Sequence, residues 1–229
     1  MKEPKLTRLE MSGLLHALDL QNGLELENFL GKWNQHASAI LPDFVKRFKR
    51  SSGAVTGLST NDIVALGNLC ELTTFKSTSI QNWIKRDIKG LIGHPELGKK
   101  YSIDQAVILL IVRDLKSTYD FETIRKMLNR LFNTISDRTD DLISPVDYYE
   151  AYAVVLDKLI NEAFHFPPAS DIEEKIELEA EIIRTAFPSI TDHNWTLIKP
   201  VLVLTVFSVL YSHLLSRAQA YQENHLDPS

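Results

Sequence analysis

From Leu6 to beyond Tyr211, apolar residues recur at intervals of three and four, and no stretch alternates apolar with polar residues as a half-buried strand does. That period gathers side chains on one face of a helix, so the fold expected is all-α. Leu6, Leu9, Leu14, Leu15 and Leu18 form the first stripe, and Leu24, Leu26, Phe29, Leu30 and Trp33 the second. Pro42 opens a short third helix, with Phe44, Val45 and Phe48 on one side and Lys46, Arg47, Lys49 and Arg50 on the other.

Helix boundaries are clearest over residues 59–133. Residues 51–58, SSGAVTGL, have linker composition, and Ser59 or Thr60 is a suitable N-cap for a helix carrying Ile63, Val64, Leu66, Leu69 and Cys70. A short helix is expected over 78–88, opened by a Thr78/Gln81 capping box. Its inward face is Ile80, Trp83 and Ile84, and its outward face Ser79, Gln81, Asn82, Lys85 and Arg86. The basic turn Gly98-Lys99-Lys100-Tyr101 follows. Two helices read as amphipathic come next, one starting from a Ser102/Gln105 box and one capped by Asp120.

Beyond Ile143 the composition turns acidic and aromatic. Ser144 and Pro145 suit the start of a helix expected to reach Phe164, which HFPPAS then breaks. Ser170 or Asp171 is the expected cap of the next helix, whose glutamates surround Ile172, Ile176, Ala180 and Ile183; acidic residues in a first turn suit the helix dipole and imply no catalysis. A last helix is expected from Asp192 to about Gln222, kinked at Pro200 or starting late there.

The 229 residues are 44% hydrophobic and 24% charged, enough for a packed core in a soluble protein. A lone cysteine, Cys70, excludes an internal disulfide framework and a Cys-based zinc site, and fits a reducing compartment; the expected location is cytoplasmic. The N-terminus carries acidic residues and lacks the apolar run of a secretory signal. The most apolar run, 200–215, includes Thr205, Ser208, Ser212 and His213 and falls short of the roughly 20 residues of a bilayer span, so it reads as a buried or dimer-forming helix, with membrane contact unexpected.

Charge is unevenly spread. The net value is −5, yet residues 46–138 hold 16 basic against 9 acidic side chains, and residues 139–229 hold 5 against 15. A basic middle and an acidic end suggest surfaces with different partners. Catalytic chemistry is poorly represented. The seven histidines are scattered with no i, i+4 pair, and no Gly-x-Ser-x-Gly elbow occurs. Residues 93–99 begin like a phosphate-binding P-loop, but Lys100 stands where Ser or Thr would hold magnesium, and Pro95 has no N–H to offer. No enzyme activity, metal or cofactor is therefore expected.

Double-stranded DNA is the partner that this pattern suits. Phosphates attract Lys and Arg regardless of sequence, whereas base edges are read by amide, hydroxyl and guanidinium groups that a short helix delivers into the groove. Lys76, Ser77, Thr78, Ser79, Gln81, Asn82, Lys85 and Arg86 supply both kinds, and Lys99, Lys100 and Tyr101 add a basic turn beside them. Trp83, on the opposite side from Gln81 and Asn82, reads as core.

The order of these parts resembles the winged helix-turn-helix of MerR-type regulators. Gly98, Lys100, Tyr101 and Ser102 match its wing, and residues 120–128 match its following helix. Gln81 and Trp83 depart from the arginine and tyrosine usual in that recognition helix, and no long coiled coil follows. The whole chain resembles more closely the YkrK-like family, centred on a MerR-like helix-turn-helix and including a repressor of a membrane-protease gene; the specific match covers about residues 59–133, and the flanks match in length and helical character. The resemblance implies an operator-binding transcription regulator. The organisation expected is an N-terminal helical arm over 1–58, a MerR-like DNA-binding unit over 59–135, and an acidic helical dimerisation or regulatory domain over 136–229. A palindromic operator calls for a homodimer, and Val201, Leu204, Ser208, Tyr211 and Leu215 form the expected dimer surface. Two alternatives stay open: an adaptor or anti-factor that binds protein through the basic face, and a membrane-tethered protein.

Overall fold

A computed structural model of the chain describes residues 5–21, 23–34, 42–50, 55–133, 138–161 and 169–225. The protein is all-α. The helices are α1 (Arg8–Asp19), α2 (Gly23–Asn34), α3 (Asp43–Arg50), α4 (Thr60–Leu69), α5 (Ser77–Asn82), α6 (Lys89–Ile92), α7 (Ile103–Leu115), α8 (Phe121–Leu131), α9 (Pro145–Asn161), α10 (Ala169–Arg184) and α11 (Asp192–His225), with a π turn at Trp83–Asp87 and a 3-10 turn at Arg138–Asp140. β structure among the described residues is limited to isolated bridges.

Local chemistry explains five of the helix starts. Thr7, Ser59 and Ser102 each accept from the backbone N–H three residues on, while Glu10, Asp62 and Gln105 accept from the cap's own N–H. Asp120 and Ser144 cap α8 and α9 in the simpler one-way manner. The Thr78/Gln81 box does not form. Instead α5 begins at Ser77, whose hydroxyl donates to Asn61 Oδ1 at 3.3 Å, so a tie to α4 sets its start. Similarly, α10 is already helical at Ala169, ahead of both expected caps, and α11 carries Pro200 within it. The expected end of α9 at Phe164 and the break at 165–168 lie outside the described residues.

The interior is organised by α7 and α9. Read as amphipathic, α7 is instead covered on all sides: every residue from Gln105 to Val112 is buried, against α1, α6, α9 and α11. A helix apolar all round has to be central. Around α9, whose Tyr148, Tyr149 and Tyr152 are fully buried, pack α1, α7, α10 and α11. One apolar core runs from Leu6 to Val209, across both boundaries drawn from composition. Part of the supposed linker belongs to it, since Leu58 is fully buried and Gln21 brackets Thr56, accepting from its N–H and donating to its carbonyl.

A buried polar network locks these helices together. Arg8 donates through Nε and Nη2 to the Asp114 carboxylate at 3.2 and 2.7 Å, and through Nη1 to the Glu71 carbonyl. Tyr152 Oη donates to Asp114 Oδ2, and Ser208 Oγ to the Asp114 carbonyl. Burial opposes the Arg8 charge, but the groups around it, Asp114 foremost, together offset that penalty and the guanidinium stays charged.

This packing divides the expected dimer stripe. Val201 and Ser208 are buried in the chain's own core, so they are unavailable to a second copy, whereas Leu204, Tyr211 and Leu215 are 38, 49 and 42% exposed. Leu204 and Tyr211 lie to one side of the buried 201/208 row, and Leu215, on nearly the same row, lies beyond Val209, where the buried part of α11 ends. α11 is long and apolar enough to cross a bilayer. Much of its apolar content, from Val201 to Val209, is already spent on the core.

Candidate nucleic-acid interface

α5 is held by three fixings. Asn68, near the end of α4, grips both backbone groups of Phe75, accepting from its N–H at 2.7 Å and donating to its carbonyl at 3.2 Å. Gly67 lets the Phe75 ring lie against α4, since a Cβ there would fall 2.2 Å from it. The rings of Phe75, Trp83 and Phe121 then meet edge to face at 6.1 and 5.8 Å, so Trp83 is a packing residue that ties α5 to α8.

Ile80 is fully buried, which fixes the rotation of α5. Lys76, Thr78, Gln81 and Asn82 are then exposed, and Ser77 and Ser79 are half-buried. The expected single helix over 78–88 is interrupted: after Asn82 the chain widens into the π turn, with the Ile88 N–H donating to the Trp83 carbonyl. Lys85 and Arg86 stand exposed on that turn, and Arg125 of α8 donates to the Asp87 carbonyl at 2.6 Å. Nothing in the residue pattern signals the extra residue in this turn.

The basic turn is a two-residue hairpin. Leu97 and Lys100 exchange both backbone hydrogen bonds, at 3.0 and 3.1 Å, around Gly98, whose φ of +69° suits a residue without a side chain. Tyr101 exchanges a further pair with Leu58, and Gly57 permits that approach, because a Cβ there would fall 2.8 Å from Lys100 Cβ. Lys99 and Lys100 are exposed; Tyr101 is half-buried, and burial pushes its phenol pKa up, so it stays neutral. The neighbouring P-loop-like segment is occupied by its own contacts. Gln105 donates to the Ile92 and His94 carbonyls and accepts from the Glu96 N–H.

Pairing separates these cations from the others. Lys76, Lys85, Arg86, Lys99 and Lys100 have no ion-pair partner among the described residues, and neither does Lys89 of α6, exposed in the same stretch and missed from sequence. On α3, by contrast, Lys46 pairs with Asp43, Arg47 with Asp62 and Lys49 with Glu27. Unpaired surface cations keep their full potential for a polyanion.

The fold and this surface define an all-α protein with a short polar helix and a basic hairpin held on a shared core. A family model described as a domain of unknown function, DUF1836, matches residues 53–152, which span α4 to α8, the hairpin and the first half of α9. The uncharacterized protein YkrK of Bacillus subtilis (strain 168) is 50% identical over 221 residues, covering 93% of this chain and 95% of that one. The chain belongs to the YkrK-like family. No solved structure matches it.

Proposed function

We propose that the protein is a DNA-binding transcription regulator, probing the major groove with α5 and the π turn while the 97–100 hairpin rests on phosphates, in the manner of a MerR-like winged helix-turn-helix. The observation that carries this reading is the set of six exposed cations between Lys76 and Lys100, none with an ion-pair partner among the described residues, in the same stretch as the exposed Gln81 and Asn82 and in a chain of net charge −5. Exposed amides suit bidentate bonds to adenine, and the cations suit phosphate or guanine. Repression by a homodimer on an inverted repeat is the arrangement proposed, with Leu204, 38% exposed, on the surface available to a second copy.

Selection of bound fragments from sheared genomic DNA, followed by titration of the best fragment against salt, tests the proposal. A regulator neutralising several phosphates loses about 10³-fold or more in affinity between roughly 50 and 200 mM salt. Absence of retention on duplex DNA, with capture of a protein partner by the same face, would establish the adaptor reading instead.

A further inference from the structure

A cleft of about 530 Å³ opens between the turn that joins α4 to α5 and the outer half of α11, within the size range of small-molecule sites. Its lining is at odds with the chain's acidic balance. Lys5 and Arg113 both line it, and among the described residues no Asp or Glu does. Lys5 Nζ donates to the Asn68 carbonyl, which leaves two of its three N–H groups to offer. Arg113, Thr74, Ser216 and Gln219 line the cleft without a hydrogen-bond or ion-pair partner among the described residues. Leu72, Tyr211 and Leu215 complete the wall with exposed apolar surface.

A set of unused donors and two cations beside an apolar strip matches an anion with a hydrophobic body. We infer that the cleft binds a small organic anion, a carboxylate or a phosphate ester, with its charged end between Lys5 and Arg113 and its apolar part against Leu72, Tyr211 and Leu215. One wall leads directly into α5 and the other is α11, so an occupant bridges the DNA-facing helix and the C-terminal helix. That bridging makes the anion an effector of DNA binding; the coupling rests on the function proposed above, whereas the binding does not.

The unfolding temperature of the full chain, measured at constant ionic strength, separates the possibilities. Phenyl phosphate, phenylacetate and inorganic phosphate are the probes, the first two distinguishing the phosphate from the carboxylate source. A saturating aromatic anion is expected to raise Tm by about 3–6 °C, with a smaller rise from inorganic phosphate. Arg113→Gln and Gln219→Ala should each reduce the rise, while Lys199→Gln, a cation outside the cleft, should not. No rise above matched chloride for any probe, or an undiminished rise in both cleft variants, overturns the site. In the second arm, the probe that shifts Tm should change affinity for duplex DNA by about fivefold or more in the wild type and not in Arg113→Gln. A Tm rise with unchanged DNA affinity overturns the coupling and leaves the site standing, and a chain that binds no DNA does the same.

Discussion

Helix α3 and the stretch from Lys76 to Lys100 carry comparable numbers of cations in sequence, yet the fold treats them in opposite ways. Lys46, Arg47 and Lys49 each meet a carboxylate, two of them from other helices, so the charge of these three cations is matched. Lys76 just before α5 and the cations of the π turn, α6 and the hairpin meet none among the described residues. Counting charges along the chain would rank the two regions together. Pairing ranks them apart, because a cation already matched to a carboxylate must give up that partner before it gains from a phosphate.

The sharpest test of that contrast removes charge from each region. Replacing Lys85, Arg86, Lys99 and Lys100 with alanine should lower affinity for any duplex by about 10³-fold and flatten the salt dependence by roughly one slope unit per lost phosphate contact. The same treatment of Lys46, Arg47 and Lys49 should change affinity by less than about threefold. Equal losses in a fluorescence-anisotropy titration would break the comparison.

Pairing in the interior has a different consequence. Asp114→Ala removes the bidentate partner of the buried Arg8 guanidinium, leaving only the Glu71 carboxylate 3.7 Å away, and should cost about 3–5 kcal/mol in urea unfolding. Loss of the exposed Lys46–Asp43 pair should be nearly silent. Gly67→Ala, which drives a methyl group into the Phe75 ring, is expected to cost about 1–3 kcal/mol and to weaken DNA binding by displacing α5. Within the exposed region, Gln81→Ala or Asn82→Ala should cost about 1–3 kcal/mol at one base position while leaving binding to random duplex unchanged. Uniform losses on every sequence would show that these amides do not read bases.

The smallest expected effect is on pH. Burial and the nearby Arg8 charge lower the His213 pKa to about 4, so it remains neutral although its Nε2 lies 3.6 Å from Glu71 Oε1. Its folded pKa is below its unfolded one, so this contribution is present above about pH 6.5 and is lost as pH falls toward 4. His16 has the opposite sign. Its hydrogen bond to Glu150, 2.8 Å long, raises its pKa, so that contribution is present below about pH 6.5 and is lost as pH rises through the raised value. Stability measured from pH 4 to 7 should therefore fall less steeply on acidification in His213→Asn than in the wild type.

How much of this was legible in sequence varies by element. The caps at Ser59, Ser102, Asp120 and Ser144 could be read directly, because a cap is a contact between residues three apart. The all-α class and the buried stripes of α1 and α4 followed from periodicity for a similar reason. The start of α5 could not be read, since Ser77 is engaged by Asn61, sixteen residues away. Nor could the π turn, or the role of Gly57 and Leu58 as the strand partner of Tyr101 in what reads as linker.

Sequence alone determined the helical class and the capped starts of α4, α7, α8 and α9, since these depend on neighbours within one turn. Tertiary structure decided that α7 is central, that Val201 and Ser208 belong to the core, and that the cations near α5 remain unpaired where those of α3 do not. Each of these depends on which distant residue comes to lie opposite. The spacing of apolar residues specifies a face without naming what will cover it.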